Sequence, residues 1–333
     1  MSLAQAAAEG ATERFEPKVP PSDHFWLPNT GSEVAQSVDH LFMYIMWVSA
    51  ICVMGIFAAM FIICYKYRAK DRESNQAALS QVDHSNTLEI IWSVAPFFFL
   101  VSIFVWGFKD FVTLRTAPKD AVEIIATGSR WQWAFKYPNG HVDSELHVAK
   151  GKNVRILIKS TDVLHSLYIP EFRVKMDAVP GRYTDLWFKP EISGTYPIYC
   201  TEYCGKSHSD MLSQVVVHEG DGYDKWVEEA EKLAYEGEPT EVGARMYKKF
   251  GCGACHTTDG SQNIGPSFKG VFGKTEQLEG GRSVTVDENY IRKSIEEPQA
   301  DIVAGFPPQM PSFKGQIKDK GIDGLIAYIK SLK

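Results

Sequence analysis

Two apolar stretches, 41–65 and 88–108, constrain this chain more than any other feature. The first runs for 25 positions without a charged residue. As a helix it reaches about 38 Å, enough to cross a hydrocarbon core of about 30 Å with tilt. The second contains one charge, Glu89, and Pro96. A chain with two such segments predicts a membrane hairpin. The loop 66–87 gathers Lys66, Arg68, Lys70 and Arg72, whereas the segment before the first span offers only Arg14 and Lys18 against six acids. The positive-inside rule places that loop in the cytoplasm and both termini outside. Residues 1–37, with Pro17, Pro20, Pro21, Pro28 and Gly31, read as an extended polar arm without the apolar core of a signal peptide. Glu89 has two readings: a carboxylate favoured at a helix start, or an ionisable group at membrane depth on a proton path.

Beyond the spans the text is that of folded, water-exposed domains. The formal charge of −6 argues against a nucleic-acid binder. From Ala121, short runs rich in β-branched residues (122–125, 147–148, 154–158, 184–188, 214–217) alternate with breakers such as Pro138-Asn139-Gly140 and Pro180-Gly181. This pattern predicts an all-β Greek-key sandwich or barrel. Its chemistry lies in the segment CTEYCGKSHSDM over 200–211, where Cys200, Cys204, His208 and Met211 stand within twelve residues. Thiolate, imidazole and thioether together suit copper, and methionine separates copper from zinc. Two cysteines four apart can bridge two metals, and a dinuclear site then needs a further histidine. His141, His147, His165 and His218 are the candidates. His165 follows a strand through Ser160-Thr161-Asp162, from which one sandwich loop can reach another. A plain Cys200–Cys204 disulfide would require four ligand residues to coincide by accident.

Over about 35–225 the chain resembles the second subunit of haem–copper cytochrome c oxidases. The most specific parts are 200–211 and the segment HSLYIPEFRVKMDAVPGR from His165 to Arg182. The resemblance implies a two-helix hairpin followed by a cupredoxin domain with the dinuclear CuA centre. It implies that Cys200 and Cys204 bridge both coppers. His165 and Met211 would complete one copper, and His208 and the Glu202 backbone carbonyl the other. The Glu202 side chain would help hold a magnesium ion facing subunit I, and Glu89 would stand at the mouth of a proton channel. Trp131, in the segment GSRWQWAF, aligns with the tryptophan through which electrons arrive from cytochrome c. The pattern departs from the family at Arg130 and at Gln132, where a tyrosine is usual.

Residues 222–236 read as an amphipathic helix, closed by Gly237 and Pro239. The 94 residues from 240 to 333 carry 13 Lys/Arg against 11 Asp/Glu, a mildly basic tail behind an acidic body. Cys252-Gly253-Ala254-Cys255-His256 is the c-type haem attachment pattern, with His256 as proximal ligand. After His256 there is no histidine and one methionine, Met310, inside Pro307-Pro308-Gln309-Met310-Pro311. His/Met ligation suits electron transfer. Ile322, Leu325, Ile326, Ile329 and Leu332 form one face of a closing helix. This tail resembles class I cytochrome c along its length. That resemblance implies that Pro266 packs near the proximal histidine and that the Gly265 carbonyl accepts its N–H.

The expected fold is a multidomain membrane protein. It comprises an arm (1–37), a transmembrane helix hairpin (38–112), an all-β cupredoxin domain (113–221), a helical linker (222–239) and an all-α class I cytochrome c domain (240–333). The resemblances imply subunit II of an aerobic respiratory oxidase in a bacterial inner membrane, with its metal domains on the outer, periplasmic side. It would carry CuA, covalent haem c and magnesium, and bind subunits I and III in the lipid bilayer. A cytochrome c or the quinol–cytochrome c reductase complex would donate electrons. Oxygen reduction and proton pumping would occur in subunit I. A nitric oxide reductase subunit with CuA and an anchored copper-carrier protein are the rival readings. The six copper ligands argue against the carrier, which needs an exchangeable site.

Overall fold

The computed structural model describes residues 25–68 and 84–333. The readings on residues before 25, and on Lys70 and Arg72, lie outside them. The apolar runs form helices α1 (Glu33–Lys66) and α2 (Asn86–Arg115). Both exceed the apolar stretches. Helix α1 begins inside the segment read as an extended arm, and α2 passes the expected limit at 112. Glu33 in the first turn of α1 and Arg115 in the last turn of α2 suit the helix dipole, which lets the helices extend into polar sequence. The two helices run antiparallel. Tyr44 Oη and Ser102 Oγ share a 2.8 Å hydrogen bond, Tyr44 stacks on Trp106, and Ser37 Oγ donates to Asp110 at 2.8 Å. Ile51, Phe57, Phe61, Phe98 and Phe104 are exposed. Such apolar girdles fit hydrocarbon rather than water. The segment Val34–Thr116 is a compact unit of its own.

The second unit contains a ten-stranded β-sandwich. Its strands are β1 (Val122–Ser129), β2 (Gln132–Lys136), β3 (Val142–Asp143), β4 (Leu146–Ala149), β5 (Val154–Ser160), β6 (His165–Ile169), β7 (Val174–Ala178), β8 (Thr184–Phe188), β9 (Gly194–Cys200) and β10 (Leu212–His218). They form two five-stranded sheets, β3-β2-β1-β5-β8 and β4-β10-β9-β6-β7. The chain crosses between sheets, so that β1 pairs parallel with β5 and β4 parallel with β10. Strand β5 shows the driving pattern: Val154, Ile156 and Ile158 are buried while the residues between them are partly open. Trp133, Phe135 and Ile124 from one sheet and Leu146, Leu167, Ile169 and Ile198 from the other fill the interior. Residues just before α1 lie along this sandwich: Gly31 N donates to Glu171 O at 2.7 Å and Ser32 Oγ to Phe172 O at 3.1 Å.

Helix α3 (Gly222–Tyr235) follows, and Pro239 opens α4 (Pro239–Lys249) at a position where its missing N–H costs nothing. Beyond the haem motif come a small hairpin of β11 (Thr275–Gln277) and β12 (Ser283–Thr285), then α5 (Glu288–Glu296) and α6 (Asp319–Ser331). The hairpin is an addition to the expected all-helical module. Asp287 caps α5, accepting from Tyr290 N at 2.7 Å. Val242, Met246, Ile291, Ile295, Ile322, Leu325 and Ile329 form the core. Helices α4 and α6 cross on a glycine pair: a Cβ on Gly243 would fall 2.0 Å from the Gly324 carbonyl oxygen. Only glycine permits that approach.

Candidate metal and haem sites

Strand register assembles the first site. Leu167 pairs with Cys200 in the β6/β9 ladder, so His165, two residues before Leu167, sits diagonally from Cys200 on the same face. Leu212 pairs with Tyr199, which folds the loop 201–211 back so that Met211 returns beside Cys204. The distances follow from this closure. Cys200 Sγ and Cys204 Sγ lie 3.8 Å apart as free thiols, and His165 Nδ1 is 3.9 Å from Cys200 Sγ. His208 Nδ1 is 3.4 Å and Met211 Sδ 3.9 Å from Cys204 Sγ, and the Glu202 carbonyl oxygen is 3.4 Å from Cys200 Sγ. Cys200, Cys204, His165 and Met211 are buried, whereas the Glu202 side chain points to solvent.

Electrostatics makes this pair a cation site. Burial alone would raise the Cys200 thiol, but His165 and the backbone at Ser166 outweigh it and bring the value to about 6. Burial, then the Cys200 charge, pushes the Cys204 thiol up to about 12. Two thiolates side by side are affordable only with positive charge between them, which a soft metal supplies. The donor set of two thiols, two imidazoles, a thioether and a carbonyl fits copper.

Asp162 completes the arrangement, and the sequence reading had not singled it out. Its Oδ1 accepts from His165 Nε2 at 2.8 Å, which leaves the Nδ1 lone pair facing Cys200. The only sequence sign was an acid three residues before the histidine in a tight turn. Trp133, buried, packs edge-on against His165 at 6.1 Å. The other candidate histidines are elsewhere. His147 Nδ1 and His218 Nε2 bond each other at 2.8 Å, and Trp226 of α3 stacks on His147 at 4.1 Å. His141 contacts the same indole edge-on. Trp131 Nε1 donates to the Cys204 carbonyl at 3.3 Å, which joins this tryptophan to the metal loop. Glu89 lies in the first turn of α2, on an exposed face.

The second site is an apolar cavity. Cys252, Cys255, His256 and Met310 line it, with Phe250, Ile264, Phe313 and Leu325 among the rest of the lining. His256 Nδ1 donates to the Pro266 carbonyl at 2.7 Å. This corrects the expectation of Gly265 as acceptor. The Gly265 backbone N–H is bonded to Cys255 O, and its Cα lies flat against the ring, where a Cβ would be 2.6 Å from His256 Cε1. The carbonyl one residue further on is the one turned to Nδ1. Phe268 stacks on the imidazole at 4.5 Å, and Tyr247 Oη donates to His256 O at 2.7 Å. The Nε2 lone pair is thereby free for a metal in the cavity. Burial pushes the Cys252 thiol up to about 12 and raises Cys255. Burial dominates at both, whereas at Cys200 the hydrogen bonds outweigh it. Gln299 Nε2 donates to Met310 O at 3.1 Å and fixes the methionine loop. An apolar cavity lined by two thiols, an imidazole and a thioether fits covalent haem.

Three family models match the chain. Cytochrome c oxidase subunit II, transmembrane domain, matches residues 20–109; the periplasmic domain of the same subunit matches 139–219; cytochrome c matches 240–333. Cytochrome c oxidase subunit 2 of Alkalihalophilus pseudofirmus is 31% identical over 323 residues, covering 92% of this chain and 90% of that protein. The alternative cytochrome c oxidase subunit 2 of Bradyrhizobium diazoefficiens is 29% identical, over 56% of this chain and 78% of that one. A crystal structure of the periplasmic domain of subunit II of cytochrome oxidase from Bradyrhizobium japonicum is 34% identical, covers 35% of this chain and 99% of that chain, and superposes with a TM-score of 0.34. With hairpin, sandwich and helical haem-type module in the same order, the chain belongs to the cytochrome c oxidase subunit II family and carries a cytochrome c domain behind it.

Proposed function

We propose that this chain is the electron-input subunit of a respiratory oxidase, in which its own cytochrome domain feeds its own copper site. The family's enzyme is an oxidoreductase. When bound, haem c and the CuA pair supply the two one-electron carriers between an external donor, such as a cytochrome c or its reductase complex, and a haem in subunit I. Oxygen reduction with proton pumping belongs to subunit I.

The residues divide the work. Cys200, Cys204, His165, Met211, His208 and the Glu202 carbonyl would hold the copper pair, and Asp162 would keep the His165 Nδ1 turned toward it. Strand ends hold His165 and Cys200, and the loop 201–211, closed at both ends by paired strands, holds the rest, so little would have to move when the charge changes. Cys252 and Cys255 would hold the haem covalently, and His256 and Met310 would be its iron ligands. Pro266 holds the His256 ring, and Gly265 leaves room for it. The exposed Glu202 carboxylate is available to magnesium at the subunit I boundary, and Glu89 to a proton path at that boundary. The basic residues Lys66 and Arg68 at the end of α1 support a cytoplasmic loop, which puts both metal domains on the periplasmic side of a bacterial inner membrane. Subunits I and III are the partners for the apolar helix pair.

One observation carries this reading. Arg130 and Gln132, which flank Trp131, line the haem-type cavity together with Cys252 and Cys255, while Trp131 itself is bonded to the copper loop. The segment 130–132 thus borders both sites. Flash reduction of haem c in the assembled oxidase tests it: haem reoxidation and CuA reduction are expected to share one rate. CuA reduction that does not follow haem c would overturn it.

A further inference from the structure

The short edge strand β3 is absorbed by neither the copper site nor the haem site, yet it touches the cytochrome core. Val142 packs against that core. Asp143, its neighbour, meets Lys249 at the end of α4, with Nζ 2.9 Å from Oδ2. Both side chains are largely buried, at 17% and 15% exposure, so solvent and salt weaken this pair less than a surface one. His141 Nε2 lies 3.3 Å from the same Oδ2, and the Glu145 backbone N–H donates to the other oxygen at 3.2 Å. The carboxylate is thus held from its own sheet and presented to the lysine. Lys249 stands three residues before Cys252. Two residues after Lys249, Gly251 lies against Gln132, where a Cβ would be 3.3 Å from Oε1. The segment that leads into the haem motif therefore meets the sandwich at two places, once by an ion pair and once by close approach.

We propose that Asp143 and Lys249 are positioning residues for transfer between haem c and CuA, and that their ion pair pins the haem-bearing segment to β3. The inference rests on the relay reading above. The transfer it serves moves one electron, lost by the haem iron and gained by the copper pair, with no bond made or broken. Tunnelling of this kind is steeply sensitive to distance, so a loosened pin slows it without altering either centre. The acidic body and basic tail seen in the sequence find their specific contact here.

Both centres are paramagnetic when oxidised, so a pulsed-EPR dipolar distance distribution between them, taken on the haem- and copper-loaded full chain in its complex, reads the pin directly. Asp143→Asn and Lys249→Gln are each expected to broaden a narrow distribution and to slow flash-initiated haem-to-copper transfer about tenfold or more. The separate optical and EPR spectra of haem and CuA should not change. The exchanged pair, Asp143→Lys with Lys249→Asp, is expected to restore width and rate, which a general loss of stability would not allow. Lys249→Gln leaves the Asp143 turn intact and carries the test should Asp143→Asn fail to fold. Wild-type distributions and rates in the single variants would overturn the pin. Absence of either signal in the unmutated chain would overturn the relay itself.

Discussion

Trp131 donates its indole N–H to the carbonyl oxygen of Cys204 at 3.3 Å. The residue that the family resemblance assigns to electron arrival is thus bonded to a proposed copper ligand. Trp131 is only 7% exposed, with Arg130 and Gln132 of its own segment in the wall of the haem cavity. Trp131→Phe keeps an aromatic ring and removes the donor. Loss of one such bond costs about 1 kcal/mol. Copper is expected to be lost about fivefold more readily in a chelator competition, with slower CuA reduction. Unchanged values for both would separate Trp131 from the site.

Asp162→Asn tests the orientation of His165. Such carboxylate partners of metal-bound histidine are worth about 10- to 100-fold in affinity. Copper affinity of the variant, measured by competition, is expected to fall in that range while the sandwich remains folded. Wild-type affinity would show that His165 needs no such partner.

Met310→Leu removes the proposed sixth haem ligand while preserving bulk. Axial ligands set haem potentials across about 0.8 V, and the thioether raises them. A redox titration is expected to show the haem c potential lower by on the order of 0.1 V or more. An unshifted potential would mean that Met310 does not bind the iron.

Mild acid should loosen α3. Burial, then the neighbouring His147, holds His218 below the usual imidazole value. The opened form then binds more protons between that lowered value and about 6.5. Closure is fully stable above about 6.5 and weakens as the pH falls towards the lowered value. Asp143 does not contribute in this window. Burial would raise it, but His141 and Lys249 outweigh that and hold it well below the usual carboxylate range, so its contribution persists until much lower pH. Hydrogen-exchange protection of 222–235, corrected for intrinsic rates, should fall between pH 7 and 5.5. Protection that stays flat or rises contradicts the assignment.

Gly243→Ala places a methyl group on the Gly324 carbonyl. Overpacking of this kind costs about 1–3 kcal/mol. The denaturant midpoint of the haem domain should fall, because the nearest atom, the Gly324 carbonyl oxygen, is backbone and cannot swing aside. A neutral result would mean that α4 and α6 cross less closely.

Much of this was legible in the sequence because it is local. An uncharged run of 25 residues, a CxxCH and a twelve-residue cluster of soft ligands each carry their physics within one segment. What needed the fold is non-local. Four histidines were open for the copper site, and only the β6/β9 register brings His165 to Cys200, while His147 and His218 pair under Trp226. Asp162 acts through His165 and leaves no motif. The His256 acceptor moved from Gly265 to Pro266, because a one-residue step turns a carbonyl to the opposite side. The Gly243/Gly324 crossing joins residues far apart in sequence, as does the Asp143–Lys249 contact. Neither periodicity nor composition reports such pairs.

The most direct test of the relay is the ratio of copper to covalently bound haem c in the detergent-purified complex, by metal analysis and haem assay on denatured subunit II. The account predicts two coppers on this chain for each covalent haem. A ratio near zero in protein loaded with copper under mild reduction would contradict it and leave a membrane-tethered cytochrome whose 200–211 loop is structural.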